Sequence, residues 1–108
     1  MVIRRFEVWL INLDPAIGKE IKKTRPCLVI SPNETNRHLD TIIGAPMTTI
    51  IRNYPTRVNC VFQKKNGQVA LDQLRSLDKA RLVKKLGTLN EQVCKAVCET
   101  LLEYFAFE

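Results

Sequence analysis

The sequence predicts a mainly β fold of the α+β class, in which a small, curled antiparallel sheet or barrel is completed by a C-terminal helix. Three observations predict it. Five short apolar or alternating segments follow one another, turn-forming residues separate them, and the end of the chain changes to helical periodicity. At 108 residues and 12.4 kDa, the chain is expected to form one domain spanning residues 1–108.

Composition and charge exclude several classes of protein. Hydrophobic residues at 45% and charged residues at 26% are ordinary globular values, which excludes a disordered chain. The N-terminal segment lacks the apolar run of a secretory signal, and no stretch reaches the roughly 18 apolar residues of a membrane span. A cytoplasmic protein without a membrane partner is therefore expected. The net charge of +6 favours polyanionic or acidic partners.

The first half of the chain supplies three of the predicted strands. Phe6–Leu13 is mostly apolar and broken by single polar residues, as in a strand with one buried face. An exposed, charged loop is predicted at 14–24, after which the β-branched run 26–31 predicts a central strand. The segment 41–50 predicts a third strand, in which Pro46 indicates a bulge or an edge.

The second half supplies a predicted hairpin. The segment 56–62 alternates between apolar and polar residues, and Asn66-Gly67 is the strongest turn signal in the chain. This turn leads into a predicted strand at 68–74. The next segment, 76–82, is too short and polar to predict more than a brief helix or turn.

A C-terminal helix is predicted from Asn90, an asparagine cap followed by Glu91 in the first turn. Apolar residues then cover much of the helix circumference: Val93, Cys94, Val97, Cys98, Leu101, Leu102 and Tyr104 or Phe105. A helix this apolar is expected to pack on the sheet. Phe105 and Phe107, at the end of the chain, are alternative candidates for a subunit contact.

The four cysteines are Cys27, Cys60, Cys94 and Cys98. Cys27 and Cys60 lie inside predicted strands, while Cys94 and Cys98 share one helical face. The sequence contains no CxxC pair, and His38 is the one histidine available to complete a metal site. Buried structural thiols are therefore favoured over metal ligands.

Arg25 is the first candidate for chemistry, because Pro26 restricts it to an extended backbone and so gives its side chain a definite direction. A guanidinium is a rigid fork of donors that binds phosphate with two hydrogen bonds. An ion pair with a surface carboxylate is the equally open alternative. Thr48, at the end of a predicted strand, and Glu20, in the preceding loop, are unremarkable residues taken singly.

Several separated motifs resemble the MazF/PemK toxin family. The stretch DPAIGKEIKKTRPCLVIS is similar to its loop, Arg-Pro and strand signature, and Asn36 follows at the usual place. The stretch PMTT resembles its strand ending in threonine, and LDQLRSLDKARL resembles its acidic-Gln-x-Arg segment. The resemblance covers nearly the whole chain, in order and without large gaps.

This resemblance implies the toxin of a bacterial type II toxin–antitoxin system. Such a toxin is a sequence-selective, metal-independent endoribonuclease that cuts single-stranded RNA such as mRNA and needs no cofactor. The implied fold is a small SH3-like antiparallel β-barrel with a C-terminal helix, assembled as a homodimer. The implied partners are single-stranded RNA and a cognate acidic antitoxin.

By position, Arg25 and Thr48 match the catalytic pair of the family, and Glu20 matches a loop acid that some members use. Asp72 aligns with an acidic position given the role of base in part of the family. Ala70 stands where one subgroup carries a second catalytic arginine, which shifts weight onto Arg25. Residues expected to bind RNA or support the site are Lys19, Lys22, Asn36, Asp72, Gln73 and Arg75.

A sparse site suffices for this chemistry because RNA supplies its own nucleophile, the 2′-OH. Arg25 is best suited to stabilise the negative charge that develops on the phosphate, and Thr48 to bond a phosphate oxygen or hold Arg25. Glu20 is favoured over Asp72 as the base because it shares the loop with Arg25. His38 is expected to be a loop residue near the RNA path, with no catalytic partner.

Two other functions remain open at this point. A toxin of the same fold that binds DNA gyrase would end in Trp-Gly-Ile, whereas this chain ends in FAFE. A basic RNA-binding module would be expected to expose aromatic residues, which make up 6% of this sequence.

Overall fold

A curled, seven-stranded antiparallel sheet and a C-terminal helix form the computed structural model, which describes residues 1–108. The strands are β1 (Glu7–Asn12), β2 (Thr24–Val29), β3 (Thr41–Thr48), β4 (Arg57–Phe62), β5 (Lys65–Ala70), β6 (Arg75–Asp78) and β7 (Leu82–Thr88). The helices are α1 (Asn33–His38) and α2 (Glu91–Tyr104), with 3-10 turns at Leu71–Gln73 and Lys79–Arg81. The predicted fold class, mainly β with a C-terminal helix, is confirmed.

Strand β3 joins the two halves of the sheet, whose order is β4-β5-β3-β2-β1-β7 with β6 also on β3. Its first half, Thr41 to Gly44, pairs with β6, and its last two residues, Met47 and Thr48, pair with β5. On this side of β3, Pro46 lies between the two partners and pairs with neither, while on the other side it lies opposite Cys27 of β2. The prediction that Pro46 marks a bulge or an edge is therefore wrong: it marks a change of partner within a central strand.

The sheet buries apolar side chains on both faces. One cluster includes Val8, Leu28 and Val97 and is covered by α2, while the opposite face holds Trp9 and Val29. Successive residues of a strand point to opposite faces, so the continuous apolar run of β2 fills both clusters. This confirms the central position predicted for the strand at 26–31.

The cysteines contribute to this core as thiols. Cys27, Cys60 and Cys94 are buried, Cys98 is half-buried, and all four are free. Burial raises the pKa of the Cys27 thiol to about 12, with Arg75 acting weakly in the opposite direction, so this thiol stays protonated. The prediction of buried structural thiols is confirmed for three of the four.

The β4–β5 hairpin exists, but its turn is not at Asn66-Gly67. The turn residues are Gln63 and Lys64, with φ of 51° and 65°, while Asn66 and Gly67 belong to strand β5. Gly67 is needed for a close approach instead: a Cβ atom there would lie 2.6 Å from the Thr48 carbonyl oxygen. Gly67 therefore marks a close approach of β5 to the end of β3. The Asn-Gly motif alone cannot distinguish such a close approach from a turn.

Residues 71–88 differ most from the sequence prediction. The predicted strand 68–74 ends at Ala70, and 76–82 contains most of β6 and the start of β7 rather than a lone helix or turn. Strand β7 is an edge strand on β1 with exposed Lys84 and Lys85, so its apolar pattern is weak. The short helix α1 ends at His38, which was predicted to be a loop residue.

Helix α2 begins as predicted, with the Asn90 side-chain oxygen accepting a hydrogen bond from Val93 N at 2.9 Å. Cys94 and Val97 are buried against the sheet. In the last turn Leu101 still packs against the core, but Leu102 is exposed, and so are Tyr104, Phe105 and Phe107. The face of the helix that packs on the sheet is therefore shorter than the predicted apolar stripe. No helix in the structure combines the length and the apolar character needed to cross a membrane.

Candidate active site

A cleft of about 260 Å³ brings Arg25 and Thr48 together. Arg25 is the second residue of β2, and Thr48 is the last residue of β3. Residues of β2, β3 and the β4–β5 hairpin complete this Arg25 cleft: Pro26, Met47, Thr49, Cys60, Phe62, Gln63, Lys65, Asn66, Gly67 and Gln68. Two residues far apart in sequence therefore share one concave site, as the family motifs require.

The Arg25 side chain is exposed and forms no salt bridge with any carboxylate. Its Nε donates to the Lys22 carbonyl oxygen at 3.2 Å, which fixes the direction of the guanidinium. Its terminal nitrogens remain free to donate. Of the two alternatives left open by the sequence, the geometry favours a ligand-binding arginine over a surface ion pair.

Thr48 is held rigidly at the end of its strand. Its Oγ1 accepts a hydrogen bond from Ile50 N at 3.1 Å, and its backbone lies beside Gln68 in the register of β5. Because the hydroxyl oxygen is already an acceptor, its proton is the part available to a ligand. Thr48 can therefore donate to an oxygen atom bound in the cleft.

Glu20 and Asp72 lie in a neighbouring cleft of about 150 Å³ rather than in the Arg25 cleft. This Asp72 cleft is lined by Glu20, Ile21, Pro46, Asp72, Gln73, Leu74 and Arg75. The Glu20 carboxylate is exposed and accepts a hydrogen bond from Ile17 N at 2.6 Å. The structure therefore divides the predicted site residues between two adjacent depressions.

Asp72 is occupied by an ion pair. Arg57 donates to both carboxylate oxygens, at 2.7 and 3.2 Å, and Thr56 donates to Oδ1 at 3.0 Å. Burial alone would raise the pKa of Asp72, but the bonds from Arg57 and Thr56 outweigh it and hold the pKa below its ordinary value. A carboxylate stabilised in this way is a poor proton acceptor, which argues against Asp72 as the base.

Gln73 and Arg75 support the loop that precedes β2, residues 13–23. Gln73 Oε1 accepts a hydrogen bond from Ile21 N, and an Arg75 terminal nitrogen donates to the Leu13 carbonyl oxygen at 3.2 Å. Lys19 and Lys22 are exposed on this β1–β2 loop. The two lysines are thus available to a polyanion, while Gln73 and Arg75 determine where the loop lies.

Asn36 is the buried residue of α1 and is not available to a ligand. Its side-chain nitrogen donates to the Ser31 carbonyl oxygen at 2.9 Å, and its side-chain oxygen accepts from the Ser31 hydroxyl. Of the two expected roles, supporting fits and RNA contact does not. His38 is exposed at the end of α1, 3.6 Å from Glu34, and lines neither cleft.

Sequence reasoning missed two groups near the site. Gln68 is buried in the floor of the Arg25 cleft, and Arg57 lies opposite Ala70 in the β4–β5 register. Ala70 stands where one subgroup carries a second catalytic arginine, and the arginine opposite it, Arg57, is bonded to Asp72. A buried Gln in an alternating strand gives no signal that separates it from a solvent-facing residue.

The side chains that commonly bind metals do not converge anywhere in the structure. No group of three or more His, Cys, Asp or Glu residues is placed to hold an ion. Arg25 and Thr48 offer the Arg25 cleft a cation and a hydroxyl donor, both of which suit an anionic ligand.

The fold and this cleft together define the class of small β-fold toxins that includes MazF. The chain superposes on MazF from Deinococcus radiodurans with a TM-score of 0.87 at 27% identity, covering 99% of each chain. A structure of the MazE–MazF complex from the same organism matches with a TM-score of 0.81 at 26% identity, over 100% of this chain and 99% of that one.

The sequence comparisons agree with the structural ones. Residues 4–105 match the family described as PemK-like, MazF-like toxin of type II toxin-antitoxin system. Endoribonuclease EndoA from Bacillus subtilis strain 168 is 32% identical over 107 residues, which span 94% of this chain and 92% of the relative. This chain belongs to the PemK-like, MazF-like toxin family, as the sequence motifs predicted.

Proposed function

We propose that this toxin is a sequence-selective endoribonuclease that cleaves single-stranded RNA, such as mRNA, in the cytoplasm and without a metal ion. The observation that carries the proposal is the Arg25 cleft, in which an unpaired guanidinium and a free hydroxyl proton face the same space. The similarity to Endoribonuclease EndoA supports the choice of RNA as substrate.

The substrate itself supplies the attacking group. The 2′-OH attacks the adjacent phosphorus and gives up its proton to a base, while the 5′-oxygen leaves and takes up a proton from water, which yields a 2′,3′-cyclic phosphate and a 5′-OH. Arg25 binds the non-bridging phosphate oxygens and stabilises the charge that accumulates on them in the transition state. Thr48 donates a hydrogen bond from its hydroxyl to one of these oxygens and so fixes the phosphate in the cleft.

Glu20 is the candidate base that removes the 2′ proton. It lies on the exposed β1–β2 loop, five positions before Arg25 in the sequence. Its carboxylate is bonded only within the loop, to Ile17 N, whereas Asp72 is held by Arg57. Release of the Ile17 bond and a movement of the loop would bring Glu20 to the Arg25 cleft.

The proposed assembly is a homodimer inhibited by an acidic antitoxin. The net charge of +6 favours an acidic partner, and exposed Phe105 and Phe107 offer apolar surface to a second copy. The MazE–MazF complex from Deinococcus radiodurans is a precedent for a toxin bound to a partner. Light scattering at micromolar concentration should give twice the mass of the 12.4 kDa chain, and a monomer would contradict the dimer.

The test of the chemistry is cleavage of a defined RNA in EDTA, followed by analysis of both new ends. We expect full cleavage, a 2′,3′-cyclic phosphate or the 3′-phosphate formed by its opening, and a 5′-OH. A single 2′-deoxy nucleotide on the 5′ side of the cut should abolish cleavage and barely weaken binding, because phosphate contacts remain. A 5′-phosphate product from the deoxy-substituted strand would overturn the mechanism, since it requires an activated water as nucleophile.

A further inference from the structure

Gln68 is a fully bonded polar side chain in the floor of the Arg25 cleft, and it is only 4% exposed. Its Oε1 accepts from Arg52 N at 3.0 Å, and its Nε2 donates to Arg52 O at 3.1 Å. The same Nε2 donates to the Asn59 side-chain oxygen at 2.9 Å. The amide of one side chain therefore pairs with the backbone of residue 52 as a neighbouring strand would.

This pair of bonds fastens the β3–β4 loop, residues 49–56, to strand β5. The loop contains no helix or strand, so its backbone direction depends on such contacts. It is also held two residues earlier, at Ile50, by the Thr48 hydroxyl. At its far end, the Arg57 guanidinium lies 5.2 Å from the centre of the Tyr54 ring. Thr56, the last residue of the loop, is bonded to Asp72 and Leu71, so the Gln68 contact is the one that holds the middle of the loop.

The fastened loop borders the site of chemistry. Thr48 and Thr49 both line the Arg25 cleft, and the loop then presents Ile50 and Ile51, which are 58% and 56% exposed. The exposed Arg52 side chain extends from the residue whose backbone is clamped. Apolar side chains and a guanidinium beside a phosphate site suit contact with unstacked bases, which is how single-stranded RNA is read.

We propose that Gln68 is a positioning residue that holds the β3–β4 loop in place to select the nucleotides beside the cleaved bond. The inference rests on the proposed ribonuclease function and goes beyond it, because the Gln68 side chain is almost fully covered and its amide atoms are bonded to Arg52 and Asn59. Its effect is transmitted through the backbone of Arg52. Freed from the clamp, the loop samples several directions, and preferred and non-preferred sequences become similar substrates.

The main test compares the wild-type protein with Gln68→Met, which keeps the side-chain length and apolar volume but removes the amide. An RNA pool with randomised nucleotides around one cut site is digested, and kcat/KM is compared between the wild type's preferred and second-best sequences. We expect that ratio to fall about fivefold or more, as the loss of the two hydrogen bonds to the Arg52 backbone implies. This ratio does not depend on the absolute rate of the variant, which can also change because Gln68 borders the Arg25 cleft.

A second pair of variants tests the same contact without altering the core. Arg52→Ala removes the guanidinium but keeps the backbone N–H and C=O that Gln68 binds, whereas Arg52→Pro also removes the N–H. Arg52→Pro should lower the selectivity ratio below that of Arg52→Ala. This comparison remains decisive if Gln68→Met fails to fold.

The outcomes separate this inference from the proposed function. If wild-type protein cleaves RNA and both Gln68→Met and Arg52→Pro keep the wild-type ratio, Gln68 has no positioning role and the ribonuclease function stands. If Gln68→Met loses thermal stability yet keeps the ratio, its role is structural and the inference is wrong. Wild-type protein that cleaves no RNA in the pool would overturn the proposed function.

Discussion

At the scale of single residues, the site is distinguished by which charged groups are free. Arg25 and Arg57 carry the same guanidinium, but Arg57 is largely covered and donates to both oxygens of Asp72, whereas Arg25 is exposed and bonds one backbone carbonyl. Only a guanidinium with unused donors can gain hydrogen bonds when a phosphate arrives. The two arginines are therefore expected to respond to mutation in different ways.

Arg25→Lys should fold normally and cleave RNA at least about a hundredfold more slowly. Lysine keeps the positive charge but loses the planar fork, and removing one well-placed donor from a transition state commonly costs that much. Single-turnover cleavage measures the rate, and thermal unfolding checks the fold. A turnover close to wild type would remove Arg25 from the centre of the mechanism.

Asp72→Asn should lower the stability of the protein by about 1 kcal/mol at pH 7, because it breaks a partly covered ion pair with Arg57. The pKa of Asp72 is lowered in the folded state, so the carboxylate contributes stability above its ordinary pKa of 3.8, and that contribution is lost as pH falls through the folded-state pKa. The difference between wild type and variant should therefore shrink below about pH 4.

Urea unfolding at several pH values measures this difference. Asp40→Asn is the matched control, because Asp40 is an exposed carboxylate without an ion pair. A deficit in Asp72→Asn that stays constant into the acid range would show that the pair with Arg57 is not its cause. A fully active Asp72→Asn protein is also expected, since Glu20 is the proposed base.

At the scale of elements, patterns that depend on burial could be predicted, and patterns that depend on tertiary pairing could not. The run at 26–31 predicted a central strand because both of its faces are buried. Strand β7 was missed because an edge strand needs few apolar residues, and its identity comes from pairing with β1. The grouping of Arg25 with Thr48 could be predicted from family motifs. The ion pair between Asp72 and Arg57 could not, because it depends on how the folded strands bring these residues together.

The close approach of β5 to the end of β3 can be tested by mutation. Gly67→Ala should push β5 away from Thr48, because the new Cβ would meet a backbone oxygen that cannot move aside alone. Both stability and RNA cleavage should fall, with cleavage falling further because Thr48 is displaced. Val61→Ala, an exposed change on the same hairpin, is the control and should alter neither. Unchanged cleavage in Gly67→Ala would show that the site tolerates this displacement.

At the scale of the whole molecule, the surplus of positive charge governs encounter with RNA. Seventeen Lys and Arg residues against eleven Asp and Glu act on any polyanion before specific contacts form. This field is screened by salt, so it affects affinity far more than the chemical step.

Binding of RNA to the inactive Arg25→Ala variant should therefore weaken steeply with salt. If three cations contact phosphates, raising the salt from about 50 to 200 mM should weaken binding by roughly twentyfold. Fluorescence anisotropy with a labelled RNA measures this, and an analogue with an uncharged backbone is the control. Equal salt dependence for RNA and analogue would exclude a role for phosphate contacts in affinity.

The change of partner along β3 also leaves the β4–β5 hairpin with a short connection to the rest of the sheet. The β4–β5 hairpin joins the rest of the sheet through two register pairs, Met47 with Val69 and Thr48 with Gln68. The contiguous stretch 49–68 carries the clamped loop and the hairpin wall of the cleft, while Arg25 stands outside it. On the proposed roles, exchanging residues 49–68 between relatives should change which RNA sequence is cut and leave Arg25, the proposed catalytic arginine, in its place.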